Sequence, residues 1–426
     1  MNIIRFKVKN FGPITSGYDA NSDDGFMDIP KVTVFCGPQG SGKSTLTKVL
    51  SSLAWIEKAA QFVGWNRPEI ILEEDRIIKN LLQWHGLSTY FKSSTEISYR
   101  GSYLSLDYVR GQLRVWSNPS ETYAKPKIMY VPAERNMIHL LSPDVIGKML
   151  PKPLATLFAE FKLARENVVA RPFPLPVNGY RYIYDDSRKD YYIENAHAQG
   201  ESSLTPVSEA SSGLQSVLPL LLVTDYLSGN LGVDVKSDGV SMVLTSNPFI
   251  SLGVDGKTLF QIGSDERIDF GSILRGTLTG VDSFTNIVEE PEQNLFPPTQ
   301  RNVLRHLLGV ARAKEGNRLI VSTHSPYIIE DLIAAIRAQS VGDKLKGVVS
   351  QRAEMIGRLE KCYPAACRIA IADVALYETS FDGTICKGDD DSGVIPDSNF
   401  LNRHLVLGSK LLDELANIEE SAGCKS

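Results

Sequence analysis

Residues 31–51 read KVTVFCGPQGSGKSTLTKVLS, and no other stretch constrains the fold as tightly. Val32, Val34 and Cys36 alternate with Thr33 and Phe35 in a β-branched run that halts at Gly37, the pattern of a buried strand meeting a turn. Gly37, Gly42, Lys43 and Ser44 fit G-x-x-x-x-G-K-[ST], and Leu46, Val49, Leu50 and Leu53 follow at helical spacing. Strand, glycine loop and helix in this order form a phosphate-binding turn. Phosphate oxygens are met by backbone N–H groups at a helix N-terminus, and bulky side chains in the loop would block their approach. The candidate binding segment is Gly37, Pro38, Gln39, Gly40, Ser41, Gly42, Lys43, Ser44 and Thr45. Within it Lys43 is placed to neutralise β- and γ-phosphates, and the Ser44 hydroxyl to complete the shell of Mg²⁺, which prefers oxygen ligands.

The 426 residues are 42% hydrophobic and 22% charged, which suits a globular protein of two or three lobes. With a formal net charge of -5 there is no global basic field pointing to nucleic acid, though a local basic groove remains compatible with it. The five cysteines form neither a C-x-x-C pair nor a zinc spacing, so reduced thiols are expected. At the N-terminus Ile4, Phe6 and Val8 alternate with Arg5, Lys7 and Lys9, a strand rather than a signal peptide. No apolar run reaches the length of a membrane span, so the expected location is the cytoplasm, without a membrane partner.

Residues 55–93 read as helical, with Ile77, Ile78, Leu81 and Leu82 on one stripe, and 96–116 as alternating aromatic-rich strands. Together they suggest a helix-plus-hairpin insertion. A strand at Lys127–Val131 ends in Pro132-Ala133-Glu134-Arg135, where Glu134 and Arg135 are either active-site groups or a surface ion pair. Residues 140–170 read as helical, and 171–207 as a linker with a Tyr-rich strand pair. Ser211-Ser212-Gly213-Leu214-Gln215 then opens an apolar helix from Val217 to Tyr226, either a plain N-cap or an anion-binding helix start.

The run Phe284–Glu292 reads as a buried strand delivering Glu289 and Glu290 at its end. Adjacent acids can divide labour, one reaching Mg²⁺ and the other orienting an attacking water. An amphipathic helix covers Asn302–Ala311, and a strand at Leu319–Val321 ends in Ser322-Thr323-His324, which places His324 where a γ-phosphate could sit. Beyond 340 the pattern gives a helix, a strand at Asp373–Thr379, an Asp382-Gly383 turn, a solvated loop at Asp389–Asp391 and a final amphipathic helix to Glu420.

GPQGSGKST, SSGLQ, IVEEPEQNLFP and VSTHSP, in that order, resemble the Walker A, signature, Walker B with D-loop, and His-switch segments of an ABC-type ATPase. The opening FKVKNFGPI and the insertions resemble the RecF/SMC-like branch, within it the stand-alone bacterial anti-phage ATPases of PARIS, Septu and the OLD-related group. The resemblance implies an α/β P-loop NTPase with ABC-ATPase head architecture: a mixed-sheet core, a helical signature lobe and helix/hairpin insertions. It implies ATP and Mg²⁺ as cofactors, with Lys43 and Ser44 on phosphate and metal and Glu289 at the metal-side acidic position. Glu290 becomes the catalytic glutamate and His324 the γ-phosphate sensor, while Ser211, Ser212, Gly213 and Gln215 meet the nucleotide of a second subunit. Glu289 stands where many members carry Asp, and no glutamine follows the strand at 127–131, which leaves Glu134 or Arg135 in its place.

The expected organisation is a core with Walker A at 1–54, an insertion at 55–126, and a core strand with helical lobe and signature at 127–227. A small insertion follows at 228–283, then the Walker B and His-switch core at 284–339, and strand and helices at 340–426. The expected function is ATP hydrolysis at composite sites in a homodimer or higher oligomer. It would act as a nucleotide-gated switch on a nuclease or toxin effector in trans, in anti-phage defence. The alternative is a RecF-like DNA-binding ATPase of repair, for which the chain lacks a basic surplus and a long heptad coiled coil. A transporter subunit fits less well with the insertion that follows the first helix.

Overall fold

The computed structural model describes residues 3–18, 24–62, 68–72, 76–118, 123–139, 151–177, 179–198, 203–231, 281–347, 352–388, 410 and 413–415. Most of the expected insertion at 228–283, the Asp389–Asp391 loop, residues 140–150 and most of the final helix lie outside them.

Among the described residues the central sheet has seven strands, in the order β2 (Gly17–Tyr18), β17 (Thr384–Lys387), β16 (Val374–Thr379), β4 (Val32–Cys36), β15 (Arg318–Thr323), β14 (Ser283–Glu289) and β9 (Pro126–Val131). The five from β16 to β9 run parallel. Every residue of β4 and of β14 is buried, because both faces of the sheet are covered, and such strands need an unbroken apolar or small-polar run. Side chains alternate between two cores. Val32, Val34 and Cys36 of β4, Val288 of β14 and Val321 of β15 pack into one; Phe35, Ile287 and Ile320 point into the other.

The first core is closed by helices α3 (Lys152–Glu166), α4 (Ser212–Gly229), α5 (Pro297–Ala313) and α6 (Pro326–Leu345). The second is closed by α1 (Lys43–Phe62) and an antiparallel sheet, β3 (Met27–Ile29), β1 (Ile4–Phe11), β6 (Phe91–Arg100), β7 (Leu104–Val109), β8 (Gln112–Ser117) and β5 (Ile70–Leu72). This corrects the insertion reading of 55–126. Strand β6 pairs with β1 from Arg5↔Arg100 to Phe11↔Phe91, so the hairpin completes the N-terminal sheet. The stretch 55–93 is not one helical block either: β5 separates α1 from α2 (Arg76–Gln83). The Tyr-rich pair forms β11 (Tyr180–Asp185) and β12 (Asp190–Asn195), in a small sheet with β10 (Phe173–Pro174) and β13 (Leu204–Pro206). A further helix, α7 (Arg352–Cys362), lies on the surface and buries none of its side chains.

The fold is therefore α/β, with a mixed-sheet core, a glycine loop between β4 and α1, and a helical lobe entered at Ser212. Register aligns the carboxyl ends: Glu289 lies opposite Ser322, and Thr323 opposite Cys36. The segments after β4, β15, β14 and β9 thus emerge along one edge, the usual location of a ligand site in a parallel sheet.

Candidate active site

The loop after β4 depends on its glycines. Gly37 has φ +141°, and a Cβ there would lie 2.2 Å from the Thr379 carbonyl oxygen. Gly42, at φ +101°, is pressed against Ile14, whose Cδ1 would be 2.4 Å from an added Cβ. Thr379, at the end of β16, braces the loop through its hydroxyl, 2.5 Å from Ser41 Oγ and 3.2 Å from the Cys36 carbonyl oxygen. Lys43 is only 4% exposed, and its Nζ donates to the Gly37 and Pro38 carbonyls at 2.9 and 2.7 Å. Burial pushes this ammonium down to about 8. A cation held on the loop's own carbonyls is poised to exchange them for stronger anionic oxygens.

Glu289 closes β14 at 3% exposure. Its Oε2 accepts from the Ala133 N–H at 3.2 Å, while Oε1 is buried without a donor in bonding geometry. The Tyr130 hydroxyl interacts with this carboxylate electrostatically, yet it too lacks a partner in bonding geometry. Lys48 Nζ stands 3.8 Å from Oε1. Lys48 follows Ser44 by one helical turn, so both belong to the face of α1 turned toward Glu289. A buried carboxylate oxygen that has an ion-pair partner but no hydrogen-bond donor can accept a hard cation. Among the described residues no cluster of three His, Cys, Asp or Glu forms a protein-only cage. Ser44 and Glu289 would hold Mg²⁺, with phosphate and water completing the shell.

Glu290 is the first residue past the strand, in the left-handed region at φ +44°, pinned by its N–H to the Ser322 carbonyl at 2.8 Å. This non-glycine strain turns its carboxylate toward His324, whose Nε2 lies 3.4 Å from Oε1. The His324 hydrogen bond is the main cause that holds the Glu290 carboxyl below its usual range, against the opposing effect of burial. Glu290 is therefore ionised at neutral pH and competent to accept a proton from water. Glu292, which the sequence reading left unassigned, is partly buried and accepts from Thr323 Oγ1 at 2.8 Å and the His324 N–H at 2.7 Å. It fixes the turn that presents His324.

Arg135 overturns the surface-pair alternative. It is wholly buried, and its guanidinium donates to four carbonyls: Pro132 at 3.2 Å, Ser216 at 3.1 Å, and Glu289 and Glu290 at 2.6 Å each. Glu134, in contrast, is exposed. The tie to its segment begins in α4, where Pro219 has no N–H to give Gln215, four residues earlier. The His139 Nε2 fills that gap at 3.0 Å from the Gln215 carbonyl, and Arg135 Nε serves the next carbonyl, Ser216. One short segment, Ala133–His139, thus ties the helix that begins at Ser212 to the Glu289–Glu290 turn.

The Ser211–Gln215 segment lies at the start of α4. Ser211 caps the helix, accepting from the Leu214 N–H at 3.5 Å, and Ser212 is exposed at the first turn. Gly213 packs so closely on the turn after Glu292 that a Cβ would meet the Asn294 carbonyl oxygen at 2.7 Å. Gln215 differs from the expected phosphate contact, because its amide nitrogen donates to the Val207 and Ser208 carbonyls, both at 3.0 Å. None of these contacts is with residues 37–45. The structure therefore gathers the glycine loop, Glu289, Glu290 and His324 on one edge, and the contacts of the Ser211–Gln215 segment named here do not include that loop. Lys48, Glu292 and Thr379 were missed by the motif pattern, and among them only Glu292 carried a signal, as the third acid of the EEPE run.

No family model matches the chain, and no curated protein matches it. Among solved structures it is similar to an SMC head domain from Thermotoga maritima, at 12% identity and TM-score 0.32, over 78% of this chain and 92% of that one. It is similar also to the ATP-binding cassette MJ0796 in a dimeric post-hydrolysis state bound to ADP and Pi, at 10% identity and TM-score 0.28, covering 90% and 96% of the two chains. A nucleotide-free ATP-binding cassette from an ABC transporter gives 13% identity and TM-score 0.27, covering 92% and 93%. At these values the likenesses assign no ligand, reaction or assembly to this chain, whose chemistry rests on the residues above. Among the described residues no helix is long and apolar enough to cross a membrane.

Proposed function

We propose that the chain binds ATP with Mg²⁺ and hydrolyses it at sites shared between two copies. The observation that carries this reading is the convergence, at the carboxyl ends of adjacent parallel strands, of a buried lysine on a glycine loop, a buried carboxylate oxygen without a hydrogen-bond donor and an ionised glutamate held by a histidine. Lys43 leaves the Gly37 and Pro38 carbonyls for the phosphates. Ser44 and Glu289 would hold the metal, whose charge would offset that on the phosphate oxygens. Glu290 accepts the proton of the attacking water, and His324 keeps the Glu290 carboxylate aimed. Ser212, exposed at a helix N-terminus, and Gly213 face the nucleotide of the second copy, while Ser211 and Gln215 shape the segment.

In binding and turnover assays, Lys43→Ala should remove ATP binding. Ser212→Arg should leave binding within a few-fold of wild type and abolish ATP-dependent dimerisation and hydrolysis. Equal loss of binding in both variants contradicts the shared site. On the strength of the motif resemblance, the proposal extends to a nucleotide-gated switch on a nuclease or toxin effector in anti-phage defence. Phage restriction by cells carrying the gene and its neighbours, lost with Lys43→Ala, is the expected result. ATP-dependent, salt-sensitive DNA binding without any effect on phage would favour the repair reading instead.

A further inference from the structure

We propose that Phe381 is the platform on which the nucleotide's base stacks, an inference that rests on residues 37–45 holding a nucleoside triphosphate. Strand order sets the direction. Glu290 and His324 lie on the β14 and β15 side of β4, so the reacting phosphate is on that side and the nucleoside extends toward β16. There the loop is walled by Thr379, which touches Gly37 and Ser41, and by Pro13 and Ile14 against Gly42.

Phe381 stands two residues past Thr379, at most about 7 Å away along the backbone. At 81% exposure it is the most exposed of the large hydrophobic side chains described, where a phenylalanine ring is ordinarily buried. Its turn is held on several sides. Ser380 N–H donates to the Thr384 carbonyl at 3.0 Å, and Gly383 N–H to the Ser380 carbonyl at 3.1 Å. Asp382 Oδ1 accepts from the Thr384 N–H and hydroxyl at 3.0 and 2.7 Å. Thr15 closes the turn onto the N-terminal segment, its hydroxyl donating to the Asp382 carbonyl at 2.5 Å and its N–H to the Gly383 carbonyl at 3.0 Å. An exposed ring on a fixed turn, braced against a phosphate loop, offers a π-face that loses little freedom when a base covers it.

Stacking uses a face common to all bases, so Phe381 supplies affinity without choosing adenine over guanine. The test measures the affinities of ATP, GTP and inorganic tripolyphosphate for wild type, Phe381→Ala and Phe381→Trp. Phe381→Ala should weaken ATP and GTP alike by about 5- to 150-fold and leave tripolyphosphate unchanged, and Phe381→Trp should keep wild-type binding. Unchanged ATP affinity in Phe381→Ala, or a parallel loss for tripolyphosphate, overturns the proposal. Wild type that binds neither ATP nor tripolyphosphate overturns the nucleotide reading itself, so the two failures are distinct.

Discussion

Replacing Arg135 by methionine separates the accounting of its buried bonds from its part in positioning Glu290. Methionine fills most of the aliphatic volume but donates to none of the four carbonyls. Charge-assisted bonds contribute about 1.5 kcal/mol each at the lower end, so their loss costs roughly 6 kcal/mol. At a slope near 3 kcal/mol/M this loss lowers the urea midpoint by about 2 M. The carbonyls of both Glu289 and Glu290 are released, so turnover per folded molecule should fall about 100-fold, as expected for a misplaced catalytic group. ATP affinity should stay within a few-fold, because the phosphate loop is braced by Thr379 rather than by Arg135. Arg135→Lys should behave alike, since one ammonium with three donors cannot serve four carbonyls. Full turnover in a destabilised Arg135→Met protein would refute the positioning role, and an unchanged midpoint would refute the hydrogen-bond accounting.

Proton linkage tests two other groups. Burial pushes the Lys43 ammonium down to about 8, and phosphate would favour its charged form, so ATP binding at pH 8 should take up about half a proton and at pH 6.5 almost none. Calorimetry in buffers of different ionisation heat reads this directly, and uptake that stays flat with pH would count against it. Burial pushes His139 down to about 4, so the unfolded chain binds the proton first, and stability falls as pH drops from about 6.5 toward 4, by up to about 3 kcal/mol. His139→Gln keeps a donor for the Gln215 carbonyl and should flatten that part of a pH series of urea melts; an unaltered profile would exclude His139 as its source. Gly37→Ala places a methyl 2.2 Å from the Thr379 carbonyl and should cost about 2–4 kcal/mol along with tripolyphosphate binding, whereas Gly40→Ala, with nothing within 4 Å, should cost about 1 kcal/mol.

What the sequence shows of this site is what local pattern can encode. A strand covered on both faces needs an unbroken apolar or small-polar run, and a tight turn at positive φ needs glycine, so β4, β14 and the glycines at 37 and 42 are legible one by one. The pairing of β1 with β6 is not, because it joins residues eighty or more apart whose alternation is equally satisfied by a free-standing hairpin. Arg135 is harder still. PAERN reads equally as an active-site turn or a surface ion pair, and the partners of Arg135 at 216, 289 and 290 are carbonyls, which leave no mark in side-chain chemistry.

One trace was nevertheless present. Pro219 inside the apolar run from Val217 to Tyr226 leaves the Gln215 carbonyl without its helical donor, so a donor had to come from elsewhere. His139 fills the vacancy, and Arg135, one turn earlier, carries the tie onward to Glu289 and Glu290. The same helix entrance divides the labour of its own residues. Gln215 holds the preceding turn and Ser211 caps the helix, while the Gly213 backbone packs on the turn that follows Glu292. In the proposed shared site, that leaves the exposed Ser212 as the side chain for a second copy's nucleotide. Any shift of Ser212 on engagement would then reach Glu290 through Ser216 and Arg135, a rigid path of two hydrogen bonds. Coupling of assembly to hydrolysis needs no glutamine after β9 if Arg135 carries it, and a double-mutant cycle between Ser212→Ala and Arg135→Met would show this as non-additive loss of turnover, whereas strict additivity would sever the path.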